Sequence, residues 1–129
     1  MAGSITVTTS RIDHPLGAIT KYSIAWVSDA AGAVSGNSFN VKAGEVVQVR
    51  YIPDSGGTQP TDLYDVTMTD ANSIDVLGGS GANLSNANST VAVPAVSTYF
   101  PRLLEAGALT PVVANAGNAK GGTIVLYVR

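Results

Sequence analysis

The sequence predicts an all-β protein: an antiparallel β-sandwich of jelly-roll or Greek-key type with little helix. Apolar and polar side chains alternate with a period of two along much of the chain, which is typical of half-buried strands. Turn residues recur about every ten residues, and several connections are too long for a simple meander. The 129 residues fit one β domain, residues 1–129.

The first half of the chain contains the clearest strand patterns. Apolar residues alternate with polar or small ones in residues 5–8, 21–26, 38–41 and 45–52. The strongest of these patterns is the fourth, which ends at Pro53 and the glycines that follow it, because proline removes a ladder donor. Residues 1–10 are a candidate for an extended N-terminal arm, since a Thr-rich strand at a terminus can pair across subunits.

The second half combines strands with long connections. Residues 63–69 alternate again, and residues 74–77 are expected to re-enter the sheet after a turn. Residues 78–88 read as a long Gly-rich loop. Pro94 confines any strand in residues 91–96 to an edge. Residues 100–106 are the one predicted helical turn, capped by Gly107. Residues 109–115 and 123–128 are predicted to form a terminal hairpin whose long tip is residues 116–122.

The charge content indicates a surface that neighbours cover. Only 12% of residues are charged and the formal net charge is −2, against roughly 25% charged in an average soluble domain. Such sparse charge favours self-association, as a homodimer or homotrimer, over the alternative of a lone domain with a neutral polar coat. The scattered Lys and Arg residues argue against nucleic-acid binding. No stretch is long enough to span a membrane, so no membrane association is expected.

Residues that could carry chemistry are few. The chain has no cysteine and one histidine, His14, which is interpreted as an exposed or turn-capping residue. The acidic cluster is interpreted as turn residues that bond their own backbone, because Ile74 stands where a calcium loop needs an oxygen ligand. No metal, no cofactor and no catalytic site are therefore predicted. The cluster comprises Asp62, Asp65, Asp70 and Asp75.

Two segments carry a family resemblance. Residues 64–83 read YDVTMTDANSIDVLGGSGAN and residues 115–129 read NAGNAKGGTIVLYVR. Both segments resemble small virion structural proteins of tailed bacteriophages, of the capsid cement or decoration kind. The resemblance implies a jelly-roll-like, homo-oligomeric domain on the outer surface of the virion capsid, with the major capsid protein as its partner. It supplies no catalytic residue. Because the N-terminus lacks the features of a signal peptide, synthesis in the host cytoplasm is expected.

Partner contacts are predicted in the N-terminal arm and in the two Gly-rich connections, because loops on rigid β scaffolds carry binding. The predicted contact residues are Ile5, Val7, Gly79, Gly81, Asn83, Asn118 and Lys120. Two alternatives stay open at this point. One is a structural module of a phage tail or neck. The other is a carbohydrate-binding or host-attachment module in which Trp26, Tyr64 or Tyr99 stacks on sugars, although Tyr22, Trp26 and Tyr51 are favoured as core residues.

Overall fold

A computed structural model of the chain describes residues 2–15, 17–96 and 100–129. Within these ranges the regular structure is β-strand, apart from one 3-10 turn at Gly56–Thr58. In chain order the strands are β1 (Ser4–His14), β2 (Gly17–Val27), β3 (Phe39–Val41), β4 (Gly44–Pro53), β5 (Asp65–Thr69), β6 (Thr90–Ala92), β7 (Ala95–Val96), β8 (Phe100–Pro101), β9 (Leu103–Leu104), β10 (Gly107–Ala114) and β11 (Gly121–Val128).

The larger sheet has six strands in the order β1-β2-β11-β4-β6, with β9 attached to the beginning of β4. Strands β1 and β2 form a long antiparallel hairpin whose pairing runs without a register shift from Ser4 opposite Val27 to His14 opposite Gly17. Residues 4–10 of the predicted N-terminal arm are therefore paired with β2 within the larger sheet. Strand β11 pairs with β2 on one side and β4 on the other.

The smaller sheet has three strands in the order β3-β10-β5. Strands β10 and β11 lie in different sheets, so the predicted terminal hairpin is wrong, and residues 115–120 cross between the sheets instead. The physical reason is burial. Six of the eight β11 residues are buried, which requires a central position between two other strands.

One cluster of buried apolar side chains joins the two sheets. From the larger sheet it includes Ile24, Trp26 and Leu126, and from the smaller sheet Val66 and Leu109. Burial of these side chains stabilises the fold by about 1.5–3 kcal/mol each before chain entropy is counted. The aromatic residues Tyr22, Trp26 and Tyr51 are all buried, which confirms their prediction as core residues.

Residues 100–106 do not form the predicted helical turn. They contribute the short strands β8 and β9, and β9 pairs with the beginning of β4. Leu103 is 76% exposed whereas Leu104 is buried, which is the alternation of a strand. Gly107 begins β10 and caps nothing. Pairing with β4, a tertiary contact, overrides the weak local preference for helix in this segment.

The chain is thus an all-β protein with curled antiparallel sheets, as the sequence predicted. The edge position of the strand near Pro94 is also confirmed, because β6 ends the larger sheet. The finer jelly-roll connectivity is not confirmed by this strand order. Within the described part of the chain, no α-helix has the length and apolar character to cross a bilayer.

Candidate interaction surface

The outermost strand of the larger sheet, β1, has a free edge. Among the described residues no strand pairs with the side of β1 that faces away from β2. The side chains of Ile5 and Val7 are half-buried and pack against the core. The backbone of these two predicted contact residues therefore lies at the free edge, whereas their side chains face the core.

The alternation of hydrogen bonding in the larger sheet shows which backbone N–H and C=O groups the free edge presents. In an antiparallel ladder, successive residues bond alternately to the neighbour on one side and on the other. The Ser28 amide donates to the Lys120 carbonyl at 2.8 Å, and the Asp54 amide donates to the Gly121 carbonyl at 3.1 Å. Even-numbered residues of β2 thus bond to β11, and odd-numbered residues bond to β1.

The odd-numbered residues of β2 lie opposite even-numbered residues of β1, from Ser4 to His14. The odd-numbered residues of β1 consequently direct their N–H and C=O groups away from the sheet. The residues with outward backbone groups are Ile5, Val7, Thr9, Arg11 and Asp13.

This edge lacks most of the features that usually prevent edge-to-edge pairing. Natural edge strands are kept short, or are protected by proline, a bulge or charged side chains, especially lysine. Strand β1 has eleven residues, contains no proline or lysine, and pairs with β2 without a bulge. Its Arg11 and Asp13 side chains form an ion pair of 2.9 Å with each other, so the strand carries no net charge from them.

The other sheet edges are short or covered. Strands β3 and β6 have three residues each, and Pro94 follows β6. The outer edge of β5 is covered by the connection that follows it. The amide of Val66 donates to the Gly81 carbonyl at 2.7 Å, and the amide of Val76 donates to the Met68 carbonyl at 2.8 Å. Strand β1 is thus the long edge left open among the described residues.

The acidic cluster satisfies backbone donors, as the turn interpretation predicted. The Asp75 carboxylate accepts the amides of Met68, Leu77 and Gly79 at 3.0, 3.1 and 3.1 Å. Asp70 accepts two amides of its own turn, Asn72 at 2.9 Å and Ile74 at 3.0 Å.

The remaining two acids bind the neighbouring connections. Asp65 accepts the amide of Asn83 at 2.9 Å and the side-chain amide of Asn115 at 2.8 Å. Asp62 accepts the amide of Asn86 at 3.1 Å. In the described part of the chain, no group of three His, Cys, Asp or Glu residues is arranged to hold a metal ion.

The three predicted contact residues of the Gly-rich loop differ in accessibility. Gly79 is exposed, with a φ of +80° and open space around its Cα. Asn83 is also exposed. Gly81 is buried, and a side chain there would collide with the backbone of Val66. Gly81 therefore holds the loop against β5 and has no surface to offer a partner.

The crossover from β10 to β11 contains the other two predicted contact residues. Asn118 is exposed at its outer turn. Lys120 is half-buried, and its Nζ donates to the Gly57 carbonyl at 2.9 Å. The Ser28 hydroxyl accepts the amide of Lys120 at 2.9 Å, which fixes the end of the crossover to the end of β2. Only Asn118 of this pair is available to a partner.

A cleft of about 430 Å³ lies between the turn after β5 and the segment around β9. Exposed Ile74 and Leu103 line it together with Arg102, and Asp70 and Glu105 contribute carboxylates. The Nε atom of Arg102 is buried and has no hydrogen-bond partner among the described residues. The cleft is mainly apolar, with one cation and two carboxylates. The sequence did not predict it, because its two sides are far apart in the chain.

Neither Trp26 nor Tyr64 offers a platform for sugars. Trp26 is 2% exposed and Tyr64 is 1% exposed, and their rings pack against each other at 5.6 Å between centroids. The carbohydrate-binding alternative is therefore wrong for these two residues, and Tyr99 lies outside the described residues. Burial raises the pKa of Tyr64 to about 12. It also raises the pKa of Tyr51 to about 12, against the opposing effect of the Ser80 hydrogen bond.

The outward face of the larger sheet is a second accessible surface. Val27, Ile52 and Val91 are exposed on it. The charged residues within its paired rows are Lys21 and Arg50, and the Arg50 guanidinium lies over the Tyr127 ring at 5.1 Å. Such a weakly charged face is suited to packing against another protein.

No protein-family model matches the sequence, and no curated protein matches it at a significant level.

Sequence reasoning missed the length of β1 and hence the free edge. It placed a short strand at residues 5–8 and interpreted His14 as an exposed or turn-capping residue. The polar run from Thr9 to Arg11 weakens the apolar alternation there, because both faces of the strand are exposed. The signal present was Pro15 and Leu16 between two β-compatible runs, which is the spacing of a two-residue hairpin loop.

Proposed function

We propose that this chain is a structural protein of a tailed-phage virion, a capsid decoration or cement protein that binds the major capsid protein and stabilises the shell. The observation that carries the proposal is the free edge of β1, because an uncovered eleven-residue strand whose two charged side chains neutralise each other is a binding element for other protein chains. The resemblance of residues 64–83 and 115–129 to virion proteins supports the phage assignment.

The arrangement of polar groups favours binding over catalysis. All four aspartates of the acidic cluster are engaged with main-chain donors, so their oxygens serve the fold. The sequence has few charged residues, and contacts based on shape and hydrogen bonds persist in salt better than contacts based on exposed charge. Many such contacts, repeated by the symmetry of a shell, add up through avidity. We therefore propose a structural role without cofactor or catalytic step.

The proposed location is the outer capsid surface of the virion, after synthesis in the host cytoplasm. Three accessible features would face neighbours: the β1 edge, the outward face of the larger sheet, and the exposed turns at Gly79 and Asn118. Contacts with nucleic acid or membrane are not part of the proposal, because the basic residues are scattered along the chain.

An electron cryomicroscopy map of particles assembled from the genome that encodes this chain tests the proposal. We expect density that fits the chain on the capsid exterior, in a copy number set by icosahedral symmetry. Density at the tail or neck would favour the alternative of a tail or neck module. Particles that lack the chain altogether would overturn a virion role.

A deletion of the gene provides the matched functional test. Particles without the chain should assemble but lose DNA at a lower temperature than complete particles, and added purified chain should restore their heat resistance. Unchanged heat resistance of the deleted particles would contradict the stabilising role.

A further inference from the structure

We infer that two copies of this chain associate by antiparallel pairing of their β1 edges about Thr9, which joins the two larger sheets into one continuous sheet. This inference rests on the proposed structural role and specifies the surface for the self-association that the sparse charge of the sequence favours. It rests on the free edge and on the positions of the two charged residues along β1.

The alternation of hydrogen bonding along β1 determines which of its residues can pair with a second copy. The outward backbone groups belong to the odd-numbered residues of β1, so a second β1 must present its own odd-numbered residues to them. A two-fold axis at Thr9 meets this requirement over the whole strand. It places Thr9 opposite Thr9 of the second copy, Val7 opposite Arg11, and Ile5 opposite Asp13. Five pairs of residues then exchange backbone hydrogen bonds.

Charge and strand length argue against two other registers. An axis at Arg11 would place the two Arg11 side chains directly opposite each other, and like charges in opposed positions are destabilising. An axis at Ile12 would pair Arg11 with Asp13 but would leave few paired residues before Pro15, which has no N–H. The axis at Thr9 keeps like charges apart and gives the largest number of bonds.

The start of the strand marks the limit of the interface. The Asn37 side-chain amide donates to the Gly3 carbonyl at 3.3 Å, just before β1 begins. The paired region therefore begins after this contact and extends toward the hairpin end. A second copy is the partner that fits, because the edge is complementary to itself under a two-fold rotation and needs no further sequence to satisfy it.

Charged substitutions at Thr9 test the inference on the purified chain, without phage particles. Sedimentation of the wild type at micromolar concentration should show a dimer. Thr9→Lys and Thr9→Glu should each weaken the dimer by about tenfold or more, because each places two like charges on the axis. An equimolar mixture of the two variants should restore the dimer, since Lys then faces Glu.

The matched control is Thr8→Lys. It adds the same charge one residue away, but Thr8 bonds to β2 and lies on the opposite face of the strand, away from the axis. This variant should remain dimeric. A wild-type chain that stays monomeric, or a Thr9→Lys dimer as stable as the Thr8→Lys dimer, would overturn the inference.

Circular dichroism and melting curves of each variant verify that Thr9→Lys and Thr9→Glu stay folded. A further variant, Thr9→Cys, reports on the same geometry independently, because the natural chain has no cysteine. Its two copies should form a disulfide on mild oxidation, whereas Thr8→Cys should not. Because no capsid takes part, failure of these experiments is distinguishable from failure of the virion assignment, which the particle map tests separately.

Discussion

The Ser28 hydroxyl donates to the Gly117 carbonyl at 2.6 Å across 89 residues of sequence. Ser28 is 2% exposed and also accepts the amide of Lys120 at 2.9 Å. One side chain at the end of β2 thus fixes both sides of the crossover that carries the chain from the smaller sheet to the larger one.

Replacement of this serine tests its role in the crossover. Ser28→Ala leaves the Lys120 amide and the Gly117 carbonyl without their partner, so the free energy of unfolding should fall by about 1–3 kcal/mol. Urea unfolding followed by Trp26 fluorescence measures the change. Ser38→Ala, at an exposed position, is the control and should change the value by less than about 0.5 kcal/mol. Equal effects of the two variants would contradict the assignment.

Substitution of Gly81 tests the contact between the Gly-rich loop and β5. A Cβ atom there would collide with the Val66 carbonyl, which is rigid main chain within a strand. Gly81→Ala should therefore lower the free energy of unfolding by about 1–3 kcal/mol, the usual cost of overpacking. Gly57→Ala, which meets no atom within 4 Å, is the matched control and should be close to neutral. A fully stable Gly81→Ala protein would show that the loop does not pack on β5.

Substitution of Asp75 tests whether the acidic cluster stabilises the fold or binds a metal ion. Asp75→Ala removes the acceptor of three amides, and we expect a loss of about 2–3 kcal/mol in the free energy of unfolding. Glu105→Ala, an exposed acid, should have little effect. A chelator should leave the melting temperature of the wild type unchanged. A melting temperature that falls with chelator and is restored by calcium would show that the cluster binds metal.

Alkaline pH should destabilise the fold through its buried tyrosines. Burial raises the pKa of Tyr51 and of Tyr64 from 10.0 to about 12. Above about pH 10 the unfolded chain loses these protons while the folded chain keeps them. Their stabilising contribution is therefore complete below about pH 10 and is lost as the pH rises toward about 12.

Urea unfolding across this alkaline range gives the measurement, and Tyr51→Phe is the matched variant. Phenylalanine does not ionise, so the free energy of unfolding of Tyr51→Phe should decrease less steeply with pH than that of the wild type. Identical slopes would mean that the Tyr51 hydroxyl ionises as readily in the folded protein as in the unfolded chain.

Several local features of this protein follow from the sequence alone. The period-two pattern placed β3, β4 and β5 within a few residues, because alternation of apolar and polar residues is a property of each strand. The burial of Trp26 and Tyr51 was predicted from their strand positions. The aspartates of the turns were predicted as backbone acceptors, because an Asx side chain reaches amides close to it in sequence.

The tertiary structure alone decided which strands are neighbours and which edge stays open. Strands β10 and β11 are adjacent in sequence, yet the demand for burial on both faces placed β11 between β2 and β4. Residues 103–104 form a strand because their backbone pairs with the beginning of β4. Strand β2 lies between β1 and β11, so β1 is the outermost strand and one of its edges stays open. The local sequence pattern of β1 does not encode this, because it depends on where strands distant in sequence are placed.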